Sequence, residues 1–229
     1  MLDCFTDRPE VYNFAPICSL EEYAPEVFKA PATPADGTLK TAKFCPALRE
    51  LYKVGIAVPA WSDVKITIGK KGTDSWEYQF ADEQSVIHYH SPLQLGNKKG
   101  LEDWIQLKFI SSWLFKCKED VRFLATEEQF AGKAFGCFSA AQGILNYKHQ
   151  HASNINLFFQ RGEEEYSIVI PHLFPLQQIV PLTEKRIEIR NHLVGEEEYK
   201  KLVIRNHSFS FSGSYYKKKN LLRGKEYTY

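Results

Sequence analysis

Between Ile155 and Pro181 the chain sets three apolar runs, Ile155-Asn-Leu-Phe-Phe-Gln, Tyr166-Ser-Ile-Val-Ile and Pro175-Leu-Gln-Gln-Ile-Val-Pro, between turn-forming residues. Short apolar runs bounded by turn chemistry predict three antiparallel strands and a β-sheet at the centre of the fold. Asp63-Val-Lys-Ile-Thr-Ile and Trp76-Glu-Tyr-Gln-Phe alternate apolar with polar positions across Gly69-Lys-Lys-Gly. That is the period of half-buried strands, and the pair predicts a hairpin. Further strands are predicted at Val86–His90, Ile105–Phe109, Trp113–Cys117, Val121–Ala125, Phe135–Phe138 and Ile144–Tyr147. Arg186-Ile-Glu-Ile-Arg-Asn-His alternates with charged flanks, as an edge strand does.

Helical signals are few. Pro46 opens Pro-Ala-Leu-Arg-Glu-Leu-Tyr-Lys at the first helical position, where its missing N–H costs nothing, and Gly55 closes it. Ser19-Leu-Glu-Glu suits one capped turn before Pro25, and Gly195-Glu-Glu-Glu-Tyr-Lys-Lys-Leu suits a second short helix. Residues 1–37 carry Pro9, Pro16, Pro25, Pro31 and Pro34 and are expected to form an irregular arm. Its Phe5, Tyr12, Phe14, Tyr23 and Phe28 call for a surface to pack on. The chain thus divides into an arm (1–37), a β domain (38–190) and a C-terminal extension with helical turns (191–229). The expected fold is all-β, a jelly-roll-like sandwich or compact barrel with one or two short helices.

Composition narrows the partners rather than the fold. With 29 Lys plus Arg against 28 Asp plus Glu, net charge gives no reason to expect nucleic acid or an anionic membrane. No apolar run approaches the roughly 18 residues of a membrane span, and the N-terminus lacks a signal-peptide pattern. Cys4, Cys18, Cys45, Cys117 and Cys137 are scattered, without a Cys-x-x-Cys pair. They read as reduced, buried thiols of a protein made in a reducing compartment.

The sharpest chemical feature is His88-Tyr89-His90. Residues two apart on a strand share a face, so both imidazoles could hold one iron, manganese or zinc ion, as in β-helix oxygenases. Glu83 is the nearest preceding carboxylate, and His149, His151 and His172 are the candidates for a distal ligand. Against this, His-x-His arises readily by chance, and Lys148-His-Gln-His lies in a polar loop. Glu163–Glu165 and Glu196–Glu198 fit a turn and a helix start, and Gly136-Cys137-Phe138-Ser139 lacks a nucleophile elbow. Gly69-Lys-Lys-Gly-Thr lacks phosphate-loop spacing. The tail Tyr215-Tyr-Lys-Lys-Lys suits a solvated terminal helix face or protein docking better than single-stranded nucleic acid. Gln177, Gln178, Asn154 and Asn156 would be the polar contacts if a barrel mouth held a nucleotide or sugar.

Phe44-Cys-Pro-Ala, Gly55-Ile-Ala-Val-Pro, Asp63-Val-Lys-Ile, Lys108-Phe-Ile-Ser-Ser-Trp, Asn156-Leu-Phe-Phe and Pro175-Leu-Gln-Gln-Ile-Val-Pro follow in an order that resembles an uncharacterised family. That family occurs in tailed bacteriophages, largely marine, with bacterial relatives, and the likeness spans roughly residues 38–190. His172-Leu173-Phe174 stands where a glycine is expected before the last of these segments. The resemblance implies an all-β phage protein and supplies no catalytic residue. The expectation is therefore a non-enzymatic virion component or protein-binding factor in the host cytoplasm. It would need no cofactor, and its partners would be phage or host proteins or a second copy of itself.

Overall fold

A computed structural model describes residues 1–25, 45–82, 84–90, 103–128, 138–150, 152 and 154–207. Fifteen strands are assigned among them: β1 (Leu2–Thr6), β2 (Cys18–Ser19), β3 (Ile56–Pro59), β4 (Val64–Ile68), β5 (Trp76–Phe80), β6 (Ile87–His90), β7 (Trp104–Phe109), β8 (Leu114–Cys117), β9 (Phe123–Thr126), β10 (Phe138–Ala140), β11 (Gly143–Leu145), β12 (Ile155–Gln160), β13 (Tyr166–Ile170), β14 (Pro175–Pro181) and β15 (Ile189–Leu193). Three short α-helices, α1 (Pro9–Phe14), α2 (Pro46–Val54) and α3 (Glu196–His207), and a 3-10 turn at Leu20–Tyr23 complete the described chain. The fold is all-β and sandwich-like.

The strands form four sheets, ordered β15-β1-β8, β10-β12-β7-β6, β11-β9-β14-β3-β2 and β13-β4-β5. Alternation drives their packing. On β4, Val64, Ile66 and Ile68 are buried while Lys65 is exposed; on β7, Ile105, Leu107 and Phe109 are buried. Apolar faces of all four sheets meet in one core, with Trp113, Phe115, Phe123, Phe159 and Tyr147 among its large side chains. Phe80 meets Phe109 edge-on at 6.2 Å, joining the β13-β4-β5 sheet to the β10-β12-β7-β6 sheet.

The predicted hairpin forms as β4 and β5, from Val64 opposite Phe80 to Ile68 opposite Trp76. Gly72 turns it with φ 78°, a conformation an L side chain rarely adopts. Helix α2 carries Pro46 in its first turn and is closed by Gly55. Gly55 is required for space rather than for a left-handed backbone: a Cβ there would lie 2.7 Å from Leu20 Cδ2 and from the Leu51 carbonyl. Ser19 caps the 3-10 turn, its hydroxyl accepting from the Glu21 amide at 3.2 Å.

Two expectations are corrected. The described part of the N-terminal segment is not an irregular arm. Its β1 is the centre of a sheet, parallel to β15 and antiparallel to β8, with Leu2, Cys4 and Thr6 fully buried. The three runs between Ile155 and Pro181 are strands, but they do not pair with one another: β12 joins β7 and β10, β13 joins β4, and β14 joins β3 and β9. Their turns steer each run into a different sheet. The strand predicted from Phe135 is described from Phe138 onward, while residues 26–44 and the Tyr/Lys tail at 208–229 lie outside the described residues.

Candidate functional site

Among the described residues, strands β5 and β6 are both edge strands, of different sheets. On β5, Trp76, Tyr78 and Phe80 share one face through the strand's period of two. Trp76 stacks on Tyr78 with ring centroids 5.8 Å apart, and Tyr78 meets Phe80 edge-on at 5.8 Å. Across the gap between sheets, Tyr89 of β6 stacks on Trp76 at 6.1 Å. The ribbon continues inward through Phe80 to Trp61 and Phe109. Its outer end stays wet: Tyr78 is 37% and Tyr89 38% exposed. An aromatic row anchored in the core and open at its rim offers rigid stacking surface at little conformational cost.

Beside this ribbon, Trp61 leads into a connected polar cluster. Arg8 donates from Nη1 to Ser85 Oγ and Ser112 Oγ, both at 3.2 Å, and from Nε to Glu10 at 2.7 Å. Its Nη2 lies 3.2 Å from Asp82. Ser85 Oγ donates to Asp82 at 2.8 Å and accepts from Trp61 Nε1 at 2.6 Å. A serine between a carboxylate and a guanidinium has the look of a nucleophile, but the valence count argues otherwise. Ser85 spends its one proton on Asp82 and both lone pairs on Trp61 and Arg8, which leaves nothing to attack with. The cluster is a clasp joining α1 to the loops before β6 and β8. Burial raises the Asp82 carboxyl, but the Ser85 hydroxyl, Arg8, Ser62 and the Gln84 amide outweigh it and hold it below 3.8.

His88 and His90 share the face of β6 opposite to Tyr89. His88 stands directly across from Lys108, and His90 across from Gln106. Beyond them on β12 come Asn156 and Phe158, with Gln106 donating to Asn156 at 3.3 Å. The nearest cross-strand neighbour of His88 is thus an ammonium, which opposes a second cation. Among the described residues no group of three His, Cys, Asp or Glu side chains converges as a metal site. Of the candidate distal ligands, His149 is buried in the turn after β11, and His172 lies in the turn before β14 with its amide on Asp63. Glu83 and His151 lie outside the described residues.

The amide set is divided. Gln177 and Gln178 are buried on β14, in the middle of the five-stranded sheet, whereas Asn156 is on β12 of another sheet, with Asn154 just before that strand. Three of the thiols are arranged to be inert: burial drives Cys4 and Cys117 upward, and burial followed by the Glu22 charge pushes Cys18 up to about 12. Cys137 lies outside the described residues.

Sequence reasoning found the β5 alternation that builds the ribbon but not the ribbon itself. Tyr89 was legible only as the middle of a histidine pair, and its stacking on Trp76 is a contact between sheets. The clasp had no sequence signal, since Arg8, Asp82 and Ser112 are ordinary surface residue types until the chain brings them together. Among the described residues no helix is long and apolar enough to cross a membrane. Compared with known proteins, the chain matches no family model and no curated protein.

Proposed function

We propose that the chain is a non-enzymatic binding protein whose partner is another protein, engaged at the rim formed by Trp76, Tyr78 and Tyr89. The observation that carries this reading is the half-exposed aromatic stack on two edge strands. Aromatic side chains with anchored bases and open rims are the residue type that dominates interface energetics. The spent hydroxyl of Ser85 and the ammonium beside His88 weigh against the enzymatic alternatives. The resemblance to tailed-phage proteins makes a virion or another phage or host protein the expected partner.

The test uses the full chain as bait in cells that make it, compared with Tyr78→Ala and Tyr89→Ala. Both positions are half-exposed, so the variants keep the fold. Truncating a central aromatic typically costs 2 kcal/mol or more, about thirtyfold in affinity. A protein held by the wild type and released by both variants supports the reading. Equal recovery with all three baits, or a bound metal ion that His88→Ala removes, overturns it.

A further inference from the structure

Strand β5 pairs with β4 on one side, and among the described residues nothing pairs with its other side. The phase of the ladder tells which main-chain groups are left over. Gly69 donates to the Ser75 carbonyl at 3.0 Å, and Ala81 donates to the Asp63 carbonyl at 3.0 Å. In an antiparallel ladder, hydrogen-bonded pairs recur at every second residue. Between those two anchors, therefore, Thr67 with Glu77 and Lys65 with Gln79 are the bonded pairs. Glu77 and Gln79 spend their N–H and C=O groups on β4. Trp76, Tyr78 and Phe80 direct theirs outward.

The sequence of this edge is self-complementary. Laid antiparallel on a copy of itself about Tyr78, Trp76-Glu-Tyr-Gln-Phe sets Tyr78 opposite Tyr78, Trp76 opposite Phe80 and Glu77 opposite Gln79. Each pairing matches its partner in kind: aromatic faces aromatic, and the single carboxylate faces an amide rather than its own copy. The register also uses the free groups correctly, because Tyr78, Trp76 and Phe80 then form hydrogen-bonded pairs. A register centred on Glu77 would place two carboxylates opposite each other.

From this we infer that β5 is a homodimer edge. Two copies would join by a two-fold axis through Tyr78 into a continuous six-stranded sheet ordered β13-β4-β5-β5-β4-β13. This rests on the reading of the rim as a protein-binding surface and names a second copy of the chain as its occupant. Closure by a two-fold leaves no further β5 edge to propagate, so assembly stops at two. The dimer extends the Trp76–Tyr78–Phe80 row into six rings on one face, and carries Glu77 and Gln79 on the other, beside Lys65 and Thr67.

Sedimentation of the full chain, untagged, tests the proposal through charge. Gln79→Glu creates two like-charge pairs across the dimer but sits beside Lys65 within its own sheet, so the monomer fold is undisturbed. The wild type is expected at twice the 26.4 kDa chain mass, and Gln79→Glu is expected to raise the dissociation constant about tenfold. Adding Glu77→Lys to Gln79→Glu pairs opposite charges and is expected to restore the dimer, which a general loss of stability would not do. A monomeric wild type, or a dimer indifferent to Gln79→Glu, overturns the inference. Neither substitution touches Trp76, Tyr78 or Tyr89, so capture of a different partner at the rim succeeds or fails independently.

Discussion

At the scale of the residue, Leu173 is in the left-handed region with φ 66°, in the turn where the Phe174 amide returns to the Pro171 carbonyl. Left-handed backbone costs a non-glycine residue about 1–2 kcal/mol, whereas glycine costs about 0.5–1 kcal/mol in unfolded-state entropy. Leu173 is 41% exposed, so shortening it forfeits little burial. Leu173→Gly is expected to be neutral or to stabilise by up to about 1 kcal/mol, read as a rise of about 2–4 °C in Tm. The clasp is the other residue-scale feature with a measurable consequence. Asp82 and Glu10 are both held below their ordinary values, Glu10 chiefly by its bond from Arg8. A carboxylate with a depressed folded pKa stabilises above its unfolded value and loses that contribution as pH falls through the folded one. Thermal melts should therefore show Tm falling below about pH 4, with Asp82→Asn lower than wild type at pH 7 and converging with it in acid.

At the scale of the element, alternation made β4, β5 and β7 legible, because apolar and polar positions alternate along each and write a period of two into the sequence. The same logic explains why β1 was missed. It is flanked by β15 and β8, and nearly all of Leu2-Asp-Cys-Phe-Thr is buried, so no polar face marks the strand. Asp3 is polar but satisfied, with His192 Nε2 2.9 Å away from a position 189 residues along the chain. A local reading has no access to such a partner. The runs from Ile155 to Pro181 show the converse: their existence as strands is local information, while their pairing belongs to residues as distant as Ile56 and Phe109. The Trp76–Tyr89 contact, and with it half of the candidate site, was illegible for the same reason. Because β1 supplies the middle of its sheet, deleting residues 1–6 is expected to abolish cooperative folding rather than trim a tail. Far-ultraviolet circular dichroism with a denaturant titration checks this, and an unchanged midpoint would return the segment to the role of an arm.

At the scale of the whole molecule, the four sheets share one main core, and the Trp61–Phe80 contact links the clasp, through Trp61 and Ser85, to the aromatic row of β5. Binding at the rim would thus be buttressed by packing rather than by loops. The pairing of β1 with β15 also bears on how the chain comes to exist. Leu2 sits beside Ile189, so β1 waits for a partner strand that is made only after the whole of the intervening chain. At translation rates of about 5–20 residues per second, that interval is roughly 10–40 s. Strand β8 can shelter one edge of β1 once residue 117 has emerged, but the other edge stays bare until β15 arrives. A nascent chain of this topology carries β1 with one edge bare until β15 emerges, and its yield in a cell should depend on what shields that edge as much as on the stability of the finished fold.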